Sequence, residues 1–143
     1  MANAPLTRDE LLGYLRARNV MALSSIGADG APQAAIVGYG VSETLEIVFD
    51  TLSSTRKYGN LQKDPRVALI VGWDDSTLQM QGTADFPEGD ELERVRQVYF
   101  AAYPDGRERL AWPGITHVRV RLEWARFSDF RTEPNRIVEL ALR

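Results

Sequence analysis

The run Phe49-Asp50-Thr51-Leu52-Ser53-Ser54-Thr55-Arg56-Lys57 carries four hydroxyls, a guanidinium and an ammonium. It falls where an apolar strand pattern gives way to a helical one. A helix start offers unpaired amide donors and about half a unit of positive charge. Hydroxyls donate hydrogen bonds, Arg grips two phosphate oxygens at once, and Lys adds a point charge. Together these meet the needs of a phosphate group. The same spacing suits a plainer arrangement, with Ser53 or Ser54 capping the helix and Arg56 and Lys57 solvated. The Gly-rich frame of a nucleotide-binding loop is missing.

Other reactive groups are scarce. The 143 residues include no Cys and one His, His117. These counts exclude a disulfide framework, thiolate metal sites, a Cys nucleophile and a His-rich metal centre. Asp74 and Asp75 are adjacent, so they read as a turn pair rather than as cooperating carboxylates. Glu88, Asp90, Glu91 and Glu93 gather at a helix start, where negative charge is favoured. Arg94, Arg96, Arg107 and Arg109 read as solvated. His117, Arg119 and Arg121 alternate along a strand and would suit a polar barrel rim or a groove between two copies. Trp73, Trp112 and Trp124 read as core or interface aromatics. No metal site is expected.

A formal net charge of -3 without a basic stripe is poorly suited to nucleic acid or anionic membrane. The apolar runs fall short of the ~20 residues a membrane helix needs. The start Met1-Ala2-Asn3-Ala4-Pro5 lacks the features of a secretory signal. A cytoplasmic protein with neither nucleic-acid nor membrane partners is expected.

The elements that must position these residues follow from pattern. Thr7 and Glu10 form a capping box for a first helix, with Leu6 stapled onto Leu11 and an end by Asn19. Strands are expected over Val20–Ile26, Ala31–Tyr39 and Leu45–Phe49, joined by short turns as an antiparallel meander. A short helix follows and stops before Asp64-Pro65. Val67–Trp73 reads as a buried strand that turns back into Thr77–Phe86. A helix over Gly89–Ala102 precedes a long strand, Ile115–Phe127. On that strand His117, Arg119, Arg121 and Glu123 share one face, and Val118, Val120, Leu122 and Trp124 the other. Ile137–Leu142 adds a last strand. The expectation is one mainly-β domain over 1–143, an antiparallel barrel of six or seven strands with flanking helices.

The order of features resembles the FMN-binding split-barrel family, also called pyridoxamine 5'-phosphate oxidase-like. The residues that carry the resemblance are Asp29-Gly30-Ala31-Pro32, Val48-Phe49-Asp50-Thr51, Thr55-Arg56-Lys57, Asn60-Leu61, Asp64-Pro65-Arg66-Val67-Ala68 and Gly82-Thr83-Ala84. The likeness is good from about Leu11 to Ala84 and looser beyond. It implies a split β-barrel holding FMN, with deazaflavin or haem as the family's alternatives. Thr51, Ser54, Thr55, Arg56 and Lys57 would hold the phosphate and ribityl end. The strand Gln33, Ala34, Ala35, Ile36 and Val37 would lie along the flavin ring. The resemblance further implies a homodimer with FMN at the interface, to which Trp124, Phe127 and Phe130 of a second copy would contribute. It points to an oxidoreductase that works on a small-molecule substrate or electron donor, or else to a non-catalytic binding or storage module. Family members that oxidise pyridoxamine phosphate have an Arg where Ala35 stands and a Lys near Gly40, so vitamin B6 oxidation is not expected.

Overall fold

Thr7 opens the first helix as its type predicts. Its hydroxyl accepts from the Glu10 amide at 3.1 Å, and the Glu10 carboxylate accepts from the Thr7 amide at 3.4 Å. The helix, α1 (Arg8–Arg16), buries Leu11 and Leu15, and Leu6 joins them in the core. This computed structural model describes residues 4–143, so most of the start read above for a secretory signal lies outside the described residues. The remaining elements are β1 (Val20–Ile26), β2 (Pro32–Gly38), β3 (Gly40–Val41), β4 (Glu46–Leu52), α2 (Arg56–Lys63), β5 (Arg66–Val71), β6 (Ser76–Asp85), α3 (Gly89–Ala102), a 3-10 segment (Pro104–Ala111), β7 (Ile115–Asp129) and β8 (Arg136–Ala141). All seven expected strands are present, and β3 is a two-residue addition.

The strands form one antiparallel sheet in the order β2-β1-β5-β6-β7-β4-β3, with β8 on β7. The two ends of this path, β2 and β3, are neighbours in sequence with only Tyr39 between them. The sheet therefore curls until its ends meet at one residue, the split barrel expected. Tyr39 is 1% exposed, and its hydroxyl donates to the Leu15 carbonyl at 2.7 Å. Inside the barrel lie Met21, Leu23, Ile47, Phe49, Leu69, Leu78, Met80, Val118 and Val120.

The expected meander is not formed. β1 and β2 do pair, but β4 pairs with β7. The cause lies at Gly38 and Gly40, where α3 and Tyr103 press on the chain. A Cβ at Gly38 would fall 2.5 Å from the Tyr103 ring, and one at Gly40 would fall 2.5 Å from the Val98 carbonyl. These glycines let the chain pass beneath and leave one end of the sheet for the other. β5 also departs from expectation. Val67, Leu69 and Val71 are buried while Ala68 and Ile70 are exposed, because the sheet is covered on one face only at β5.

β7 changes face partway. Gln81 pairs with Trp124 and Gly82 with Leu122, so Glu123 is an extra residue. Side chains alternate with a period of two, so one extra residue reverses every later one. Val118, Val120 and Leu122 point inward, and beyond the bulge Ala125 and Phe127 do so. Trp124 is thus parted from the Leu122 face, contrary to the pattern reading. Only Gly fits opposite, since a Cβ at Gly82 would stand 2.6 Å from the Arg121 carbonyl.

A second, smaller core sits outside the barrel, where α3 covers β4 and β7 with Val95, Tyr99 and Phe100 over Val48. His117 and Arg119 are under this layer, 2% and 5% exposed. They do not line a rim. This part of the face expected to form a polar rim or a groove between two copies is roofed by a helix.

Candidate functional site

Three elements meet at a cavity of about 350 Å³. β1 brings Leu23 and Ser25, β2 brings Gln33, Ala34 and Ala35, and the start of α2 brings Thr55, Arg56 and Lys57. The small side chains of β2 leave its backbone open to an occupant. At the other wall α2 begins, and first-turn amides of a helix have no intrahelical acceptor. Arg56 and Lys57 form no ion pair among the described residues. Cation, helix start and open strand thus face one space, which suits an anionic group continued by a flat body.

Thr55, rather than Ser53 or Ser54, is the N-cap. Its hydroxyl accepts from the Tyr58 amide at 3.3 Å and donates to the Leu52 carbonyl at 2.9 Å. Ser53 instead ties the loop down, its amide donating to the Gly114 carbonyl at 2.8 Å. Gly114 has a φ of 78° and crowds Ser53 Oγ, so this turn tolerates little else.

Other residues expected at the site do not line the cavity. Thr51 is buried behind Thr55, with their hydroxyl oxygens 2.9 Å apart. Ser54 is exposed in the turn before α2. Val37 packs on the barrel core, and Ile36 is 66% exposed on the outer face. Trp124 stands on β7 with its indole N–H donating to Glu139 at 2.6 Å. Phe127 is buried in the core, and Phe130 is half exposed.

Asn60 was not singled out as a site residue by type alone. It is 8% exposed on α2, and its amide donates to Ser25 Oγ at 3.1 Å and Gln33 Oε1 at 2.8 Å. It fixes α2 against β1 and β2, and so sets the width of the cavity. Its place in Asn60-Leu61 was the available signal.

Beneath α3 the electrostatics are of another kind. Arg119 donates to both oxygens of Asp85 at 2.9 and 2.8 Å, and to Glu91 at 2.7 Å and Glu46 at 3.2 Å. Hydrogen bonds from Arg94 hold the Glu46 carboxyl down at about 2, against its partial burial. Arg94 and Arg119 together hold Glu91 at about 2. Arg109 donates to Asp50 at 2.8 Å and to the Tyr99 hydroxyl at 2.9 Å. Burial pushes the Tyr99 hydroxyl up to about 12. His117 lies edge-on to Tyr99 and Phe100, and neither ring nitrogen has a hydrogen-bond partner among the described residues. Burial lowers its pKa, so the ring is held neutral. Among the described residues no acidic or histidine cluster suits a metal ion, and no helix is long and apolar enough to cross a membrane.

Comparison with known proteins agrees with this geometry. A profile of the pyridoxamine 5'-phosphate oxidase family matches residues 7–129. The pyridoxine/pyridoxamine 5'-phosphate oxidase of Burkholderia vietnamiensis is 31% identical over 107 residues, which are 73% of this chain and 48% of that protein. The chain thus spans about half the length of the curated relatives it matches. A haem binding protein from Mycobacterium smegmatis superposes with a TM-score of 0.82 at 20% identity, over 97% of this chain and 60% of that one. A pyridoxamine 5'-phosphate oxidase-related, FMN binding protein from Nostoc punctiforme superposes with a TM-score of 0.71 at 12% identity, over the whole of both chains. At these identities the structural likeness establishes the fold.

Proposed function

The chain belongs to the pyridoxamine 5'-phosphate oxidase family, and from that premise we propose that it is an FMN-binding oxidoreductase acting as a homodimer. The observation that carries this reading is the meeting of unpaired Arg56 and Lys57, the α2 start and the open β2 backbone around one cavity. Arg56, Lys57 and the first-turn amides of α2 would hold the phosphate. Thr51, Thr55 and Ser54 shape the loop behind it. Gln33 to Ala35 would offer backbone donors and acceptors to the ring. Bound FMN supplies hydride or electron transfer at its ring, and the protein supplies position and a partly dry wall.

The dimer reading rests on the outer face of β2, β1 and β5. Ile36, Ala22 and Ile70 stand in register there, with Ala34 and Ala68 one step along. Ile36 and Ile70 are 66% and 41% exposed in one copy, a costly face to leave in water. A second copy would cover it and wall the cavity from the other side, with Trp124 on β7, two strands beyond β5. Ala35 stands where family members that oxidise pyridoxamine phosphate have an Arg, so the substrate is read as something other than a vitamin B6 phosphate.

Haem storage is the competing reading, since a haem binding protein shares the fold. The lone histidine counts against it. His117 is enclosed beneath α3 and offers no axial ligand at the cavity.

The test is spectroscopic. The protein reconstituted with FMN should retain a flavin spectrum through gel filtration, and R56A/K57A should lose at least about tenfold in FMN affinity. FMN affinity unchanged in that variant would overturn the phosphate assignment. Reduction of the bound flavin by NADH or NADPH in stopped flow would support an enzyme, and failure with every common donor would favour a binding module.

A further inference from the structure

A second cavity, of about 360 Å³, lies at the far end of β4. Glu46 borders it, whereas Thr51 stands behind the cofactor cavity, so the two sites are roughly 17 Å apart at about 3.4 Å per residue. Its floor is apolar. Leu45 and Leu122 are 4% and 6% exposed, and Leu142 is half-buried beside them. Its rim is cationic, made by Arg8, Arg121 and Arg143.

These arginines are unequally neutralised, Arg8 and Arg121 least. Arg8 makes no ion pair among the described residues, although it stands in the first turn of α1, where the helix dipole disfavours a cation. Arg121 reaches only Asp85 Oδ2, at 3.6 Å, and Arg119 already holds that oxygen at 2.8 Å. Arg143 meets Glu123 at 2.8 Å, with its side chain 65% exposed. Glu46, the one acid in the lining among the described residues, is already engaged. Its carboxylate is taken by Arg94 at 2.7 and 2.8 Å, by Arg119 at 3.2 Å and by Ser42 at 2.9 Å.

One further feature concentrates here. Leu45 has a φ of 65°, the left-handed region in which glycine or asparagine is usual. It follows the turn closed by its own amide on the Ser42 carbonyl at 3.0 Å. The backbone accepts this strain with a leucine in place, and the leucine side chain makes part of the cavity floor. Strain of this kind gathers at ligand-contacting positions.

We propose that this cavity binds a small amphipathic carboxylate, with its apolar body on Leu45, Leu122 and Leu142 and its carboxylate between Arg8 and Arg121. The size is at the lower end of the ~300–1,000 Å³ range of ligand sites, which suits a medium-chain or monocyclic acid. A planar carboxylate matches a guanidinium fork, and the leucines favour a ligand with a hydrocarbon portion over a bare anion. The site is independent of the flavin reading.

Octanoate serves as the probe, added to the full-length protein at low salt and followed by calorimetry and by methyl NMR of the leucines. Saturable binding is expected, with shifts at Leu45, Leu122 and Leu142. Octanol and acetate should each bind at least about tenfold more weakly, one lacking the charge and the other the chain. R8A and R121Q are exposed changes that leave the fold intact, and each should weaken octanoate about tenfold. R56A/K57A should leave octanoate binding unchanged, so that this site and the cofactor cavity fail or succeed separately. Octyl phosphate distinguishes the headgroup: tighter binding than octanoate would overturn the carboxylate assignment. Absence of saturable octanoate binding, or binding that R8A and R121Q do not alter, would overturn the proposal.

Discussion

The cluster under α3 and the cavity at the start of α2 are both built around arginine, and they use it oppositely. Under α3, Arg119 is 5% exposed and meets three carboxylates within 3.2 Å. At α2, Arg56 and Lys57 meet none. A buried cation without a counter-charge costs several kcal/mol, so the first arrangement is required by desolvation. The second is sustained only by water, and an anion can replace that water at little cost. Among the described residues, charges that hold the fold are matched, and the charges that face the α2 cavity are left open.

This contrast is best broken by mutation. Arg119→Ala leaves Asp85, Glu91 and Glu46 without their shared partner, and a loss of about 3 kcal/mol in unfolding free energy is expected by urea denaturation. A loss below about 1 kcal/mol would mean that the network adds little to docking α3. Thr55→Ala removes the cap of α2, and a loss of about 1 kcal/mol is expected. Because Thr55 also backs the cavity, FMN affinity should fall with it.

The pH dependence separates the regions further. The His117 pKa is lowered in the fold, so the unfolded chain takes up the proton first. Its contribution is complete above about 6.5 and is lost as pH falls below that value. Glu46 and Glu91, held at about 2, contribute above about 4.5 and lose that contribution as pH falls toward 2. His117→Leu should therefore flatten the loss of stability that sets in below about pH 6.5 while keeping the steeper loss in stronger acid. An unchanged slope would show that His117 titrates alike in both states. The smallest change is expected for R56A/K57A in the cofactor-free protein, under about 0.5 kcal/mol. A larger loss would mean that these side chains serve the fold and would weaken the contrast.

Local signals were readable where local chemistry decides the outcome. The capping box at Thr7 and Glu10, the edges of β1 and the span of α3 all follow from neighbours in sequence. So did the grouping of Gln33, Ala34, Ala35, Thr55, Arg56 and Lys57 at one cavity, carried by the family resemblance. What escaped depends on contacts distant in the chain. The meander failed because Val98 and Tyr103 crowd Gly38 and Gly40. Trp124 was assigned to the wrong face because a bulge cannot be counted from alternation. His117 and Arg119 read as a rim or a groove between two copies because nothing in their own strand announces that α3 will cover them. Asn60 gained its importance only once Ser25 and Gln33 were seen beside it.

The joint at Tyr39 has a mechanical consequence. The barrel is a ribbon fastened to itself by one residue of covalent chain, and the ordered path of strands ends on either side of that fastening. The Tyr39 hydroxyl ties that joint to α1, and an occupant of the cleft beside β2 would bridge the two sides. A tightly gripped occupant would then act as a clasp, and the slowest-exchanging amides of β2 would report how firmly it is shut.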